Sequence, residues 1–329
     1  MIFDAPKSRF GLVATLVLWV GVMRAGQSPA ADRPVVVATT TVVADLVRQV
    51  GGDRVEVDCL MAPGIDPHSY RATPRDADRL SRADLVVASG LHLEGRLADL
   101  LSRLGRRVPL VAVGDKLPAE RLLGVDGEAA GSGRGPGDAS GLHDPHVWFD
   151  AKLWSLCPIM VADALAAVDP DGRAEHGVRA AEYADRLRAL DQKILERIAT
   201  IPARRRVLVT AHDAFRYFGR AYGIEVVGVQ GTSTESEAGL GDINRLVDLV
   251  VSRGIPAVFV ETSVSDRNVS AIREGARSRG HEVALGGRLY SDSLGAAGSG
   301  AETLEKVLIA NVETIVVGLS GKPGMTGGR

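Results

Sequence analysis

Cysteine is scarce in this chain of 329 residues: Cys59 and Cys157 are the only two. They form no CxxC pair, so a zinc–thiolate cage and a disulfide-stapled miniature fold are both excluded, and free thiols are expected. Aromatic residues make up only 4%, and no long run of one charge occurs. With a formal net charge of -2 and a pI near 6.4, no electrostatic footprint for nucleic acid is present. Also missing are a His-Glu-x-x-His run, a Gly-x-Ser-x-Gly elbow and a Gly-x-x-x-x-Gly-Lys-Ser/Thr phosphate loop. What remains is ordinary for a globular protein: 45% apolar and 24% charged residues, unlike a disordered or polytopic membrane chain. The length suggests two domains with sizeable cores.

The N-terminus carries an address. Lys7 and Arg9 precede an apolar run from Phe10 to Met23, followed by the small residues Ser28, Pro29, Ala30 and Ala31. That order is expected of a secretory signal over residues 1–31, cleaved near Ala30 or Ala31. The run falls short of the roughly 20 residues that span a bilayer, and Arg24 closes it. No cysteine lies near the cleavage point to accept a lipid, so a free periplasmic protein is expected.

Downstream, short β-branched runs alternate with amphipathic stretches. Strands are predicted at 34–39, 54–60, 84–89 and 108–113, and a second series at 206–210, 225–229, 257–261 and 282–285. Strand–helix alternation of this kind is a parallel α/β pattern. Between the two series, Asp169 can cap a helix with Pro170 at its first position. Apolar residues then recur at Val178, Ala181, Ala184, Leu187, Leu190, Ile194, Ile198 and Ile201 until Pro202. About 30 helical residues span roughly 45 Å. The expected architecture is therefore α/β, with two lobes, each a four-stranded parallel sheet flanked by helices, joined by one long rigid helix. The expected boundaries are 32–168 for the first lobe, 169–202 for the linking helix and 203–329 for the second lobe. Gly124 to Gly141 is rich in Gly, Ser and Asp without hydrophobic period, and reads as a surface loop.

Seven histidines are present, and the placement of three singles them out. Asp-Pro-His occurs twice, at Asp66-Pro67-His68 beyond the second strand and at Asp144-Pro145-His146 beyond the fourth. Proline stiffens each loop, as a preorganised ligand requires. His212 directly follows Val207-Leu208-Val209-Thr210, and Asp292 follows the last strand. All four lie beyond strand C-terminal ends, where open α/β sheets place their ligand sites, two from each half. Three imidazoles and a carboxylate suit zinc, manganese or iron, and are too nitrogen-rich for calcium or magnesium.

These motifs, in the order Gly64-Ile65-Asp66-Pro67-His68, Asp144-Pro145-His146-Val147-Trp148-Phe149, Thr210-Ala211-His212-Asp213-Ala214-Phe215 and Ser291-Asp292, resemble the metal-binding receptors of ABC importers, the group containing TroA and ZnuA, and most closely its TroA-like members. The resemblance covers nearly the whole chain after the signal. It implies that His68, His146, His212 and Asp292 coordinate one divalent transition metal as transported ligand, with zinc favoured, manganese next and iron third. It also implies delivery to an ABC importer membrane permease with its cytoplasmic ATPase, by a monomer that binds no nucleic acid. Manganese-type relatives commonly carry Glu where this chain has His212. Zinc-dedicated relatives often carry a His-rich loop near Gly124 to Gly141, which here holds no His.

Other residues stay open at this stage. His143 either hands metal to the site or has no role. His92 and Glu94 follow the third strand at the cleft rim, and Glu261 either orients a ligand imidazole or makes a structural hydrogen bond. His176 and His281 are expected to face solvent. Asp66, Asp144 and Asp213 adjoin the proposed ligands and can cap turns. Two other classes compete with a receptor. A zinc hydrolase would keep one coordination position open for water, which four protein ligands do not. A surface adhesin of the same fold lacks its anchor cysteine here.

Overall fold

Parallel strands buried on both faces organise each half of the chain. The computed structural model describes residues 1–2, 33–125 and 143–320. The expected export signal and the Gly/Ser-rich loop from residue 126 onward lie outside the described residues.

The first half runs β1 (Val35–Ala38), α1 (Thr41–Gly51), β2 (Glu56–Cys59), α2 (Pro74–Ser81), β3 (Leu85–Ala88), α3 (Ala98–Leu104) and β4 (Leu110–Ala112). Its strands form one parallel sheet in the order β2-β1-β3-β4, with Val36 opposite both Val57 and Leu85. Thr40 starts α1 by accepting the Val43 N–H on its side chain, and Thr73 with Asp76 closes a capping box on α2. The short α4 (Ala151–Trp154) and α5 (Cys157–Val168) then lead to the long helix α6 (Arg173–Ala199).

The second half runs β5 (Val207–His212), α7 (Arg216–Tyr222), β6 (Glu225–Gln230), α8 (Leu240–Ser252), β7 (Ala257–Glu261), α9 (Arg267–Ser278), β8 (Ala284–Leu289) and α10 (Leu304–Leu319). Its four strands pair as two parallel ladders, β5 with β6 and β7 with β8, and β5 runs beside β7. The second sheet is thus laddered in two pairs rather than continuously.

Side-chain alternation distributes each strand between two cores. Val36, Ala38, Leu85, Val87, Leu208, Ala257 and Phe259 face one large apolar cluster that runs through both halves. Val37, Val86 and Ala88 face a smaller cluster confined to the first half, and Val207, Val209, Val258 and Val260 face one confined to the second. The shared cluster includes Leu187, Leu190, Ile194 and Ile198 of α6, so the linking helix is packed along its length. Truncating one such residue to alanine costs about 2–5 kcal/mol. Asp45 of α1 adds a polar tie, accepting the Leu304 N–H at the start of α10 and the Tyr183 hydroxyl of α6.

The helix corrects the expected apolar face at its start. Val178 and Ala181 are exposed, and His176, Ala180 and Tyr183 take the buried positions. His176 does not face solvent: it is fully buried, with Nε2 at 2.9 Å from Asp169 and Nδ1 at 3.4 Å from the Val50 carbonyl. His281 is half-buried, its Nε2 2.9 Å from the Ile255 carbonyl. Cys157 is buried and Cys59 half-buried, and both are free thiols. Burial pushes the Cys59 thiol up to about 11.

Candidate metal centre

His68, His146, His212 and Asp292 meet between the two halves, each offering one ligand atom, with all four atoms within 4.8 Å of one another. The site is buried: His146 and His212 are fully buried, Asp292 is 1% exposed and His68 is 4% exposed. His68 Nε2 lies 3.3 Å from His146 Nε2. Asp292 Oδ1 lies 3.2 Å from His146 Nε2, and its Oδ2 lies 3.4 Å from His212 Nε2. A tetrahedron with metal–ligand bonds of about 2.0–2.1 Å has edges of roughly 3.3–3.4 Å, which the shortest separations approach, while the four ligand atoms as a set lie within 4.8 Å.

Each side chain is aimed by the backbone beneath it. Asp66 accepts the His68 N–H on Oδ1 at 2.9 Å, and Asp144 accepts the His146 N–H at 3.0 Å. Both Asp-Pro-His turns are therefore closed by their own aspartate. Asp144 does more, since the same oxygen lies 2.7 Å from His146 Nδ1 and leaves Nε2 to face the site. His212 ends β5, where Glu261 at the end of β7 accepts its N–H on Oε1 at 2.9 Å and places Oε2 2.6 Å from Nδ1. Gly228 of β6 sits behind His212, donating its N–H to Asp213 Oδ1 at 2.6 Å. A Cβ at Gly228 would lie 2.5 Å from the Asp213 nitrogen, so this close approach needs glycine. Asp292 Oδ2 accepts from the Ser263 hydroxyl at 3.0 Å, and the Trp148 indole N–H donates across the halves to the Ser291 carbonyl at 3.3 Å.

The electrostatics divide the imidazoles. Burial pushes His68 down to about 4, against the opposing pull of Asp292. Burial also disfavours the cations of His146 and His212, but nearby carboxylates overcome it. Asp144 and Asp292 hold His146 above its ordinary value, and Glu261 and Asp292 hold His212 well above. Burial would raise Asp292, yet the two imidazoles keep it well below the usual carboxylate range. The buried carboxylates thus favour positive charge at His146 and His212, the charge that a bound metal cation would supply.

The remaining candidates separate. Glu94 does not rim the cleft: it is buried, accepting from the Thr39 hydroxyl and the Ser89 N–H, and burial pushes its carboxyl up. His92 is exposed and His143 half-buried, and both line a cavity beside His68 rather than the four-residue cluster. Sequence reasoning missed Ser263 entirely. Its only signal was its place two residues beyond the C-terminal end of β7.

Two parallel α/β halves, a packed connecting helix and a buried nitrogen-rich pocket between them define a two-lobed solute-binding protein with a transition-metal type of site. Residues 36–318 match the family described as ZnuA, zinc-uptake complex component A, periplasmic, and the chain belongs to that family. It is 42% identical over 310 residues to the manganese-binding lipoprotein MntA of Bacillus subtilis, covering 94% of this chain and 97% of the relative. It is 41% identical over 292 residues to the zinc-binding protein TroA of Treponema pallidum, covering 88% and 91%. The structure of the Treponema pallidum periplasmic zinc-binding protein TroA superposes with a TM-score of 0.81 at 40% identity, covering 88% of this chain and 99% of that one. MntA is called a lipoprotein, in contrast to the unanchored protein expected from the sequence.

Proposed function

We propose that this chain captures one divalent transition metal between its halves and delivers it to an ABC permease outside the cytoplasmic membrane, with His68, His146, His212 and Asp292 as the ligands. The observation that carries the reading is the convergence of four buried ligand atoms within 4.8 Å of one another. Three imidazole nitrogens and one carboxylate favour zinc, with manganese next. Relatives named for zinc and for manganese stand at nearly the same identity, so the donor set carries this preference. Residues 1–31 act as an export signal, and the boundaries 32–168, 169–202 and 203–329 delimit first lobe, linking helix and second lobe. The protein works as a monomer, and ATP is hydrolysed on another subunit.

The site is a carrier rather than a catalyst, because Asp292 takes the position that a hydrolytic water would need. Elemental analysis of protein reloaded with zinc and then with manganese should find one ion per chain, lost in a His68→Ala/His212→Ala double variant. A stoichiometry near zero in the wild type, or full retention in the double variant, overturns the ligand assignment. Zinc-dependent turnover of peptide, ester or phosphoester substrates that disappears in His146→Ala would revive a hydrolase.

A further inference from the structure

Beside the four-residue cluster lies a cavity of about 420 Å³ whose wall includes His68, His92, His143, Pro145, Thr232 and Glu235. Of the proposed ligands only His68 lines it, and His68 is also the most exposed of the four. His68 is thus the residue at which the cavity and the four-residue cluster meet, and the cavity is the candidate approach to the site. Two further imidazoles, His92 and His143, line the same cavity. The Nδ1 of His143 is buried with no hydrogen-bond partner among the described residues. His92 is exposed between the buried Leu91 and Leu93, and its ring makes no hydrogen bond among the described residues.

The backbone bearing His92 is costly to hold. Leu91 and His92 have φ of +52° and +61°, two consecutive non-glycine residues in the left-handed region. Each costs on the order of 1 kcal/mol or more relative to ordinary backbone. The turn persists because Asp115 Oδ1 accepts the Leu91 N–H at 2.7 Å and Glu94, below it, accepts the N–H groups of Ser89 and Gly90. Its outcome is an imidazole presented to the cavity. Glu235 adds a carboxylate to the same wall, partly neutralised by Arg96.

We propose that His92 and His143 form a transient loading station, on which a zinc-like cation exchanges part of its hydration shell for imidazole nitrogen before passing to His68 and the buried site. This inference rests on the metal-carrier reading and concerns the route rather than the final ligands. Imidazole discriminates at the first encounter: it suits zinc and related transition ions, whereas hydrated calcium and magnesium prefer oxygen. Only ligand exchange occurs, with waters leaving as imidazoles bind, so no oxidant or other reactant is required. A station on the route lowers the barrier in both directions and leaves the equilibrium untouched.

Stopped-flow fluorescence supplies the test, because the Trp148 ring lies 5.3 Å from that of His146 and reports loading. In a His92→Ala/His143→Ala variant the zinc association and dissociation rates should both fall by about tenfold, the effect of raising the shared barrier by about 1.4 kcal/mol. One zinc per chain and the equilibrium affinity should be retained. Unchanged association in the double variant overturns the station, as does a loss of affinity carried by faster dissociation alone. Should the double variant fail to fold, His92→Gln and His143→Gln singly must each slow loading. A second readout uses wild-type protein with its site already filled: added zinc should shift the His92 and His143 imidazole NMR signals, and calcium should not. Absence of any zinc shift also overturns the station. Wild-type protein that binds no zinc at all would instead remove the carrier reading on which the station depends.

Discussion

Glu261 holds His212 by its backbone N–H, which Oε1 accepts at 2.9 Å, and stands Oε2 2.6 Å from Nδ1 as a close charge contact. The contact joins the ends of β5 and β7, which share no ladder, and it turns the His212 Nε2 toward the proposed metal position. Glu261 is fully buried. In Glu261→Gln one oxygen becomes an amide nitrogen, which cannot accept from either donor. Zinc affinity should fall by about 10- to 100-fold while one ion is still bound at saturation, as expected when an outer partner of a ligand imidazole is lost. Calorimetric titration measures both quantities, and an unchanged affinity would assign Glu261 to strand-end packing alone.

Metal removal should lower the melting temperature without unfolding the chain. The shared apolar cluster joins β1, β3, α6, β5, β7 and α10 through side chains that owe nothing to the ion. Binding to the native state alone contributes about 4 kcal/mol at a thousandfold excess of metal over Kd. Chelated protein should keep its far-ultraviolet helical signal at 25 °C and melt earlier than loaded protein. Collapse of that signal on chelation would mean that the ion is structural.

Most of the strands were legible because parallel strands buried on both faces need continuous β-branched runs, and such runs stand out in sequence. The four proposed ligands were legible because each hangs just beyond a strand, two of them on proline-stiffened turns. Other features depend on partners far along the chain. The burial of His176 joins a nearby partner, Asp169 at 2.9 Å, to a remote one, the Val50 carbonyl 126 residues away at 3.4 Å, and the remote one is not visible in the local sequence. Ser263 meets Asp292 across 29 residues, from the turn after a neighbouring strand. The last strand was expected over 282–285 but runs over Ala284–Leu289, across Gly286 and Gly287. At Gly286 the Phe259 ring leaves no space for a Cβ, which would come within 2.5 Å, so glycine there serves packing inside the strand.

Acid should weaken the junction at the start of α6. Arg54 binds Asp169 in a two-pronged contact, Nε to Oδ2 at 2.7 Å and Nη2 to Oδ1 at 2.8 Å, with His176 Nε2 at 2.9 Å from Oδ2. The Arg54 hydrogen bonds lead in pulling the Asp169 carboxyl down to about 2. A depressed carboxylate stabilises the native state above its unfolded pKa of about 4 and loses that contribution as pH falls through its folded value. Asp169 is 11% exposed, and the shift corresponds to about 2 kcal/mol. Asp169→Asn should therefore be less stable than wild type by about that much at pH 7, with the difference shrinking between pH 4 and pH 2. Urea unfolding at several pH values measures it, and a difference that does not change with pH would show that shape rather than charge holds the junction.

Replacing His212 by glutamate should move selectivity toward manganese. A neutral imidazole becomes an anionic carboxylate, and oxygen suits manganese better relative to zinc than nitrogen does. The position already favours a cation: Asp292 and Glu261 hold the native imidazole well above its ordinary pKa. A glutamate there meets the same two carboxylates, so like-charge repulsion raises a carboxyl pKa in the unloaded site and binding of a dication displaces that proton. Zinc should remain the tighter binder in absolute terms, following the general order of divalent affinities. The ratio is what changes, and the zinc preference should shrink by about tenfold, roughly 1.4 kcal/mol. Competitive titration of wild type and His212→Glu at one fixed pH measures that ratio, because removing an imidazole also removes a protonation step. A ratio unchanged or shifted further toward zinc would mean that His212 does not touch the metal, or that the spacing of the other three ligands outweighs the type of the fourth.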